Sequence, residues 1–189
     1  MDNGIFVDTK DYAVFAAKVK NADKAIYKAM RKAINDETKK VVREVRQAAL
    51  NLPSSGAAEA DTYSAKKMGA FGVGLRTALA ASVESKIISR ASKNLFGVRI
   101  RVSGTRFREL SGTYKGNKPR RPRKLPRYVE GLGRKFQRWR HPVYGDRETW
   151  VQQSAKPFLM PTANKHRLAV REAVRQAFKE AARQVGFTK

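Results

Sequence analysis

The stretch His141-Pro142-Val143-Tyr144-Gly145, followed by Trp150-Val151 and Lys156-Pro157-Phe158-Leu159, decides how we interpret this chain. Its first proline and glycine predict a turn over 141–145, and the aromatic and β-branched residues that follow predict a short strand over 148–152. The next proline ends that strand. We therefore expect a turn and a strand that lead directly into the last helix.

The rest of the C-terminal region predicts one amphipathic helix. Apolar side chains recur there in a pattern that we interpret as helical, with Thr162 as N-cap, a body over 162–185 and Gly186 as the terminator. The apolar positions are Leu168, Val174, Phe178, Ala181 and Val185.

The N-terminal region predicts a short edge strand over 4–7 and then a long helix over 9–50, with Asp8 as its N-cap. Such a helix would span about 60 Å, so we expect a break near Asn35-Asp36 or a projecting arm. Its apolar stripe consists of Phe15, Val19, Ala22, Ile26, Met30, Ala33, Val41, Val45 and Ala48. The opposite face carries Lys20, Lys24, Lys28, Arg31 and Lys32, and we interpret it as solvated.

The middle of the chain predicts a small antiparallel sheet. Leu52-Pro53 ends the long helix, and a glycine- and alanine-rich connection over 53–82 includes a helical turn at 75–79. Apolar and polar residues then alternate over 83–104, which predicts a β-hairpin with one covered and one basic face. The predicted fold class is α+β, with the long N-terminal helix and the C-terminal helix packed on this sheet.

Residues 105–140 show neither the helical nor the strand periodicity of apolar residues, and they predict an extended basic loop. Pro119, Pro122 and Pro126 oppose regular structure, and the stretch 115–140 carries a single acid, Glu130. Its eleven basic residues are the candidates that face DNA or an acidic partner: Lys115, Lys118, Arg120, Arg121, Arg123, Lys124, Arg127, Arg134, Lys135, Arg138 and Arg140. We expect partner molecules to hold this loop in place.

Large aromatic side chains near this loop are candidates for subunit contacts. Tryptophan is favoured at protein interfaces, although aromatic rings among basic residues also suit stacking on nucleobases. The candidate interface residues are Trp139, Tyr144, Trp150 and Phe158.

Composition limits the classes of function. The 189 residues predict a single domain, and 41 Lys+Arg against 16 Asp+Glu give a formal charge of +25, which favours a polyanionic partner such as nucleic acid or an acidic protein surface. The absence of cysteine excludes disulfides and thiolate chemistry. The chain has neither a long apolar run nor a signal-like N-terminus, so we expect no membrane partner.

The sequence offers little for catalysis, and we predict no enzyme, metal or cofactor. The two histidines, His141 and His166, have no evident partner residues for catalysis. Glu84-Ser85-Lys86 on a predicted strand is similar to a metal-dependent nuclease pattern, but short matches of this kind arise by chance. The further acids that such a site would need, Asp61, Asp146 and Glu148, lie in other predicted segments.

The order HPVYG, Trp150, KPFLMP and a terminal helix resembles the small neck or tail-completion proteins of long-tailed bacteriophages. A glycine followed by Leu75-Arg76 ahead of a strand looks like the middle section of that family. The resemblance implies a structural virion protein, assembled in the host cytoplasm, that joins the head connector to the tail as a ring.

The resemblance further implies a ring of six copies, to match the tail's symmetry. The implied partners are other copies of the chain, the head connector or stopper, the tail terminator or tail tube, and the DNA in the channel. A tail terminator or minor tail protein would share these features. The main alternative is a sequence-independent nucleic-acid-binding protein, followed by the Mg²⁺-dependent nuclease.

Overall fold

The computed structural model describes residues 4–8, 10–53, 74–90, 95–111, 123–131, 138–142, 148 and 150–186. The elements in chain order are β1 (Gly4–Asp8), α1 (Lys10–Ala22), α2 (Lys24–Leu50), α3 (Leu75–Ala81), β2 (Val83–Arg90), β3 (Leu95–Val102), α4 (Gly104–Leu110), α5 (Leu125–Val129), β4 (Arg138–Pro142), β5 (Trp150–Ser154), α6 (Leu159–Lys165) and α7 (Arg167–Gln184). The predicted α+β class, with long N-terminal and C-terminal helices, is confirmed.

The described residues form two compact units of interleaved chain segments, where the sequence predicted one domain over 1–189. Unit 1 contains the residues up to 44, those of 84–101 and those from 162 onward. Unit 2 contains the residues of 45–83 and 102–161. Helix α2 and strands β2 and β3 each contribute residues to both units.

Unit 1 is built on a three-stranded sheet with the order β1-β3-β2. Strand β1 is an edge strand, as predicted, and runs antiparallel to β3 with Gly4 opposite Arg99 and Asp8 opposite Leu95. Along β3 the alternate residues Phe96, Val98 and Ile100 are at most 2% exposed, which confirms the predicted period of two.

The C-terminal helix α7 covers this sheet through an aromatic cluster. The ring of Phe178 lies 4.8 Å from that of Phe96 in an edge-on arrangement and 5.7 Å from that of Phe15 on α1. Val170 and Val174 are also buried on α7, whereas Leu168 is 76% exposed, so its assignment to the buried stripe was wrong. Leu168 and Val174 are six positions apart, and at 100° per residue that spacing places Leu168 off the buried face.

The long N-terminal helix breaks at Asp23 and not near Asn35-Asp36, which lie within the continuous helix α2. The carboxylate of Asp23 accepts hydrogen bonds from the backbone N–H groups of Ala25 at 2.7 Å and Ile26 at 3.1 Å. It is therefore the N-cap of α2. The predicted cap of α1 at Asp8 lies outside the described side chains.

The predicted stripe on α2 is buried at Met30, Val41 and Val45 but is wrong at Ala33. Ala33, assigned to the stripe, is exposed, and its neighbour Ile34 is buried instead. Thr38 is also buried, and its hydroxyl group donates to the carbonyl of Ile34 at 2.7 Å, so this polar group is not left without an acceptor.

Unit 2 contains a two-stranded antiparallel ribbon of β4 and β5, with Arg138 opposite Ser154 and Pro142 opposite Trp150. His141 and Pro142 thus lie in a strand, which corrects the predicted turn at those two positions. Pro142 is tolerated because it occupies the last pair of a ribbon in which both strands are edges. The predicted strand over 148–152 is observed at Trp150–Ser154.

Candidate basic interface

Regular structure interrupts the region that the sequence predicted as one extended basic loop. Helices α4 and α5 and strand β4 lie within 104–142, so the prediction of a continuous loop was wrong for these segments. Pro126 does not prevent α5 because it occupies the first turn, where no intrahelical N–H partner is required. Pro119 and Pro122 lie outside the described residues.

Helices α4 and α5, together with the two residues ahead of α5, carry a set of exposed cations that we call the basic surface of unit 2. Its members are Arg106, Arg108, Arg123, Lys124 and Arg127. Glu109 is the exposed acid on α4. Neighbouring positive charges raise the local potential and attract anions, and the excess of cations over acids makes this surface suitable for a polyanionic or acidic partner.

Close backbone contact joins the two parts of this surface. A Cβ atom on Gly104 would lie 2.7 Å from the carbonyl oxygen of Arg123 and 2.9 Å from its Cγ atom. Since such distances are too short for a side chain, glycine is required where α4 begins beside Arg123. The start of α4 and the chain at Arg123, just ahead of α5, are therefore in direct contact.

Of the predicted basic residues, Arg123, Lys124 and Arg127 are exposed members of this surface. Arg138 and Arg140 lie in β4, and their side chains are outside the described part of the structure. The others also lie outside it: Lys115, Lys118, Arg120, Arg121, Arg134 and Lys135. Sequence reasoning missed Arg106 and Arg108, although Ser103, which caps α4 by accepting from the Arg106 N–H at 3.4 Å, was a local signal for that helix.

Glu130, the one acid of the 115–140 stretch, connects the basic surface to the KPFLMP motif. Its side chain is buried, and one carboxylate oxygen accepts the backbone N–H groups of Phe158 and Leu159, both at 3.0 Å. The other oxygen accepts the N–H of Met160 at 2.7 Å. A carboxylate in this position satisfies the free donors at the start of α6 and opposes the positive end of the helix dipole.

This arrangement corrects the predicted start of the C-terminal helix. Thr162 was predicted as the N-cap, but the helical region begins at Leu159 and is capped by Glu130 from another segment. The region is also divided at His166, which separates α6 from α7. The predicted end at Gly186 is confirmed by its φ of +73°, a left-handed conformation that favours glycine.

Two further contacts fix the same joint. The backbone N–H of Lys156 donates to the carbonyl of Val129 at 2.8 Å, and the Lys156 ammonium donates to the carbonyl of Pro53 at 2.7 Å. Gly131 turns the chain after α5 with a φ of +79°, and a Cβ atom there would lie 3.1 Å from the Cβ of Ala155. The segment that carries Arg127 is thus attached at several points to the start of KPFLMP.

The aromatic candidates have different outcomes. Phe158 is only 3% exposed, so its side chain belongs to the chain's own core, and its assignment as an interface residue was wrong. Trp139 lies opposite Gln153, and Trp150 lies opposite Pro142, in the β4–β5 ribbon, but their side chains are outside the described part. Tyr144 lies outside the described residues.

The residues considered for catalysis have other contacts where they are described. Glu84 forms an ion pair of 2.6 Å with Arg101, and His166 lies 2.7 Å from the carboxylate of Glu44. Within the described residues, no group of three or more His, Cys, Asp or Glu side chains could hold a metal ion. Glu148 is exposed, whereas Asp61 and Asp146 lie outside the described ranges.

Comparisons of the chain with protein-family models, curated proteins and solved structures found no match. No helix in the described ranges is long and apolar enough to cross a membrane.

Proposed function

We propose that this chain is a structural subunit of a phage neck, a tail-completion protein that forms a ring and joins the head connector to the tail. The observation that carries the proposal is the motif order of HPVYG, Trp150 and KPFLMP ahead of a terminal helix. The ribbon of β4 and β5 and the capped start of α6 are compatible with that order. The ribbon and the cap of α6 both lie in the stretch that runs from residue 138 to the C-terminal helices.

The basic surface of unit 2 supports a role in joining large components. Its cations are exposed, while the acid closest in sequence to α5, Glu130, is buried and used as a helix cap. A surface of this kind has affinity for acidic protein or for the DNA that passes through a neck channel. Phosphate attraction is independent of base sequence, which suits a channel through which any genome must pass.

The proposed mechanism is assembly through complementary surfaces. In a ring, each subunit presents one surface to its neighbour and a different surface to the next, and closure prevents growth into a filament. The C-terminal helix offers a candidate contact because Leu168 is 76% exposed among the basic residues Lys165, Arg167 and Arg171. A large apolar side chain in that position becomes buried when a neighbouring subunit covers it.

A sequence-independent nucleic-acid-binding protein is the second candidate function. The exposure of Arg123, Lys124 and Arg127 favours it, since free cations are the main requirement for binding a phosphate backbone. The two candidates differ in location and in assembly. A free-standing binding protein would be absent from purified particles and would not form closed rings.

The test of the proposal is the position of the chain on phage particles that encode it. Particles are purified, labelled with gold-conjugated antibody against the full chain and imaged by electron microscopy. Label at the junction of head and tail is the expected result. Label elsewhere on the particle, or purified particles without label, would contradict the proposal, and a particle structure would then identify the component at the junction.

A further inference from the structure

Helix α2 carries a row of exposed cations in unit 1 that is separate in sequence from the basic surface of unit 2. The row, which we call the α2 stripe, consists of Lys24, Lys28, Arg31, Lys32 and Lys39. At 3.6 residues per turn these positions fall within about 100° of the helix circumference and extend over about 22 Å. The buried residues Met30, Ile34 and Val41 lie outside that arc.

The positions of the charges in the stripe are unfavourable for an isolated helix. Lys24, Lys28 and Lys32 follow one another at spacings of four residues, where like charges repel. Lys24 adds to this effect because it lies in the first turn of α2, where positive charge is unfavourable and where Asp23 is the only acid at the cap among the described residues. Repulsion among the lysines destabilises the free helix, and a bound anion would relieve it.

The acids of α2 do not neutralise this half of the helix. Asp36, Glu37 and Glu44 all follow residue 35, where they contact Lys39 at 2.8 Å, Lys40 at 2.6 Å and His166 at 2.7 Å. The pKa of Asp36 is lowered first by the hydrogen bond from Lys39 and also by the positive charges of Lys39 and Lys32, so Asp36 offsets part of the charge at this end of the stripe. In the described part of the chain, Lys24, Lys28, Arg31 and Lys32 form no ion pair.

The start of the helix is itself occupied, so any ligand must bind to the side chains. Asp23 accepts the N–H groups of Ala25 and Ile26. The guanidinium of Arg31 lies over the ring of Tyr27, with 5.7 Å between its central carbon and the ring centroid. This cation–π contact orients Arg31 within the stripe beside Lys28 and Lys32.

The composition of the stripe favours nucleic acid over an acidic protein. Four of its five cations are lysines, which act as flexible point charges and are depleted at protein–protein interfaces. In the described ranges the large exposed apolar side chains are Val14, Leu50 and Leu168, and none lies between 24 and 39 to act as an interface anchor. A row of point charges along a rod matches the regular phosphates of a duplex.

We propose that the α2 stripe binds the phosphate backbone of double-stranded DNA without reading base sequence. This inference does not depend on the neck assignment, because it uses only residues of unit 1 and their charges. It assigns a partner class to a face that the sequence alone indicated as solvated.

The test compares two full-length variants that lose the same charge. The stripe variant is Lys24→Gln/Lys28→Gln/Lys32→Gln, and the control is Lys18→Gln/Lys86→Gln/Lys179→Gln, in which the three lysines are exposed on α1, β2 and α7. Glutamine matches lysine in helix propensity, so both variants are expected to fold. Binding of a labelled duplex of mixed sequence is measured by fluorescence anisotropy across a salt series.

For the stripe variant we expect the slope of log K against log salt to be shallower than wild type by about 2.7, or about 0.9 for each lost contact. The control should change the slope by much less. An unchanged slope in the stripe variant, or an equal change in the control, would overturn the proposal. Binding to polyglutamate is measured in the same way. If the stripe variant loses binding to polyglutamate but binds DNA as wild type does, the proposal is overturned in favour of an acidic protein partner.

A second measurement guards against misfolding. At low salt and without DNA, the stripe variant should melt at the same temperature as wild type or higher, because like-charge repulsion has been removed from α2. A lower melting temperature would contradict the electrostatic argument on which the site depends.

Discussion

The carboxylate of Glu130 accepts a hydrogen bond of 2.7 Å from the backbone N–H of Met160, although the two residues are 30 positions apart. Together with the hydrogen bonds from Phe158 and Leu159, this contact caps the start of helix α6 with a residue that directly follows α5. The basic surface of unit 2 and the KPFLMP motif therefore form one structural joint. Its stability is the first property to measure.

Replacement of Glu130 by alanine should destabilise the protein by about 2 kcal/mol, because three helix N–H groups lose a charged acceptor in a buried site. Urea denaturation followed by circular dichroism measures the change. Glu109→Ala is the control, since Glu109 is exposed on the neighbouring helix α4. Equal unfolding midpoints for Glu130→Ala and wild type would contradict the capping role.

Gly131→Ala should also weaken the joint, by about 1–2 kcal/mol, because alanine is strained at a φ of +79°. The new Cβ would in addition lie 3.1 Å from that of Ala155. Gly74→Ala is the matched control, since Gly74 has a φ of −55° and a methyl group added there would have no neighbouring atom within 4 Å. Thermal melts should show a clear loss for Gly131→Ala and little change for Gly74→Ala, and the reverse order would be inconsistent with this turn.

The joint also shows why part of the fold could be predicted and part could not. Strand β3 follows from its own residues, because Phe96, Val98 and Ile100 alternate with polar or small neighbours and need no distant information. The cap of α6 is different. Thr162 is a residue type that favours an N-cap, but the observed cap is Glu130. Its hydrogen bonds with Phe158 and Leu159 join residues distant in sequence, so the local pattern does not predict them.

The predicted position of the break in the N-terminal helix was wrong for a related reason. Asp23 and Asn35-Asp36 are both polar sites at which a helix can begin, and local propensity does not choose between them. In the folded chain the Asp23 carboxylate binds the Ala25 and Ile26 N–H groups, whereas Asp36 binds the Lys39 side chain on the surface.

For the candidate site, the sequence identified the exposed Arg123, Lys124 and Arg127 but not Arg106 and Arg108, because the residues of α4 were assigned to a loop.

The aromatic cluster of unit 1 predicts a large effect for Phe178→Ala. Phe178 is 4% exposed and contacts the rings of Phe96 and Phe15, so its loss should cost about 3–5 kcal/mol. Leu168→Ala on the same helix should change stability by less than about 0.5 kcal/mol because Leu168 is 76% exposed. Chemical denaturation of both variants checks the register of α7, and similar losses would contradict it.

The exposed Leu168 gives a prediction about assembly. If α7 contacts a neighbouring subunit, Leu168→Glu should shift the population toward single chains by placing a charge in an apolar contact, with no loss in melting temperature of the single chain. Leu168→Met retains an apolar side chain and should assemble as wild type does. Sedimentation velocity measures both, and full assembly of Leu168→Glu would exclude this contact.

The most direct test of the central claim is the mass of the assembled full-length protein, measured by native mass spectrometry at moderate salt and matched to electron-microscope images. The ring account predicts a discrete closed species, with six copies of the 21.2-kDa chain and a central opening in the images. A single 21.2-kDa species at all concentrations, with or without head-connector and tail proteins, would contradict it.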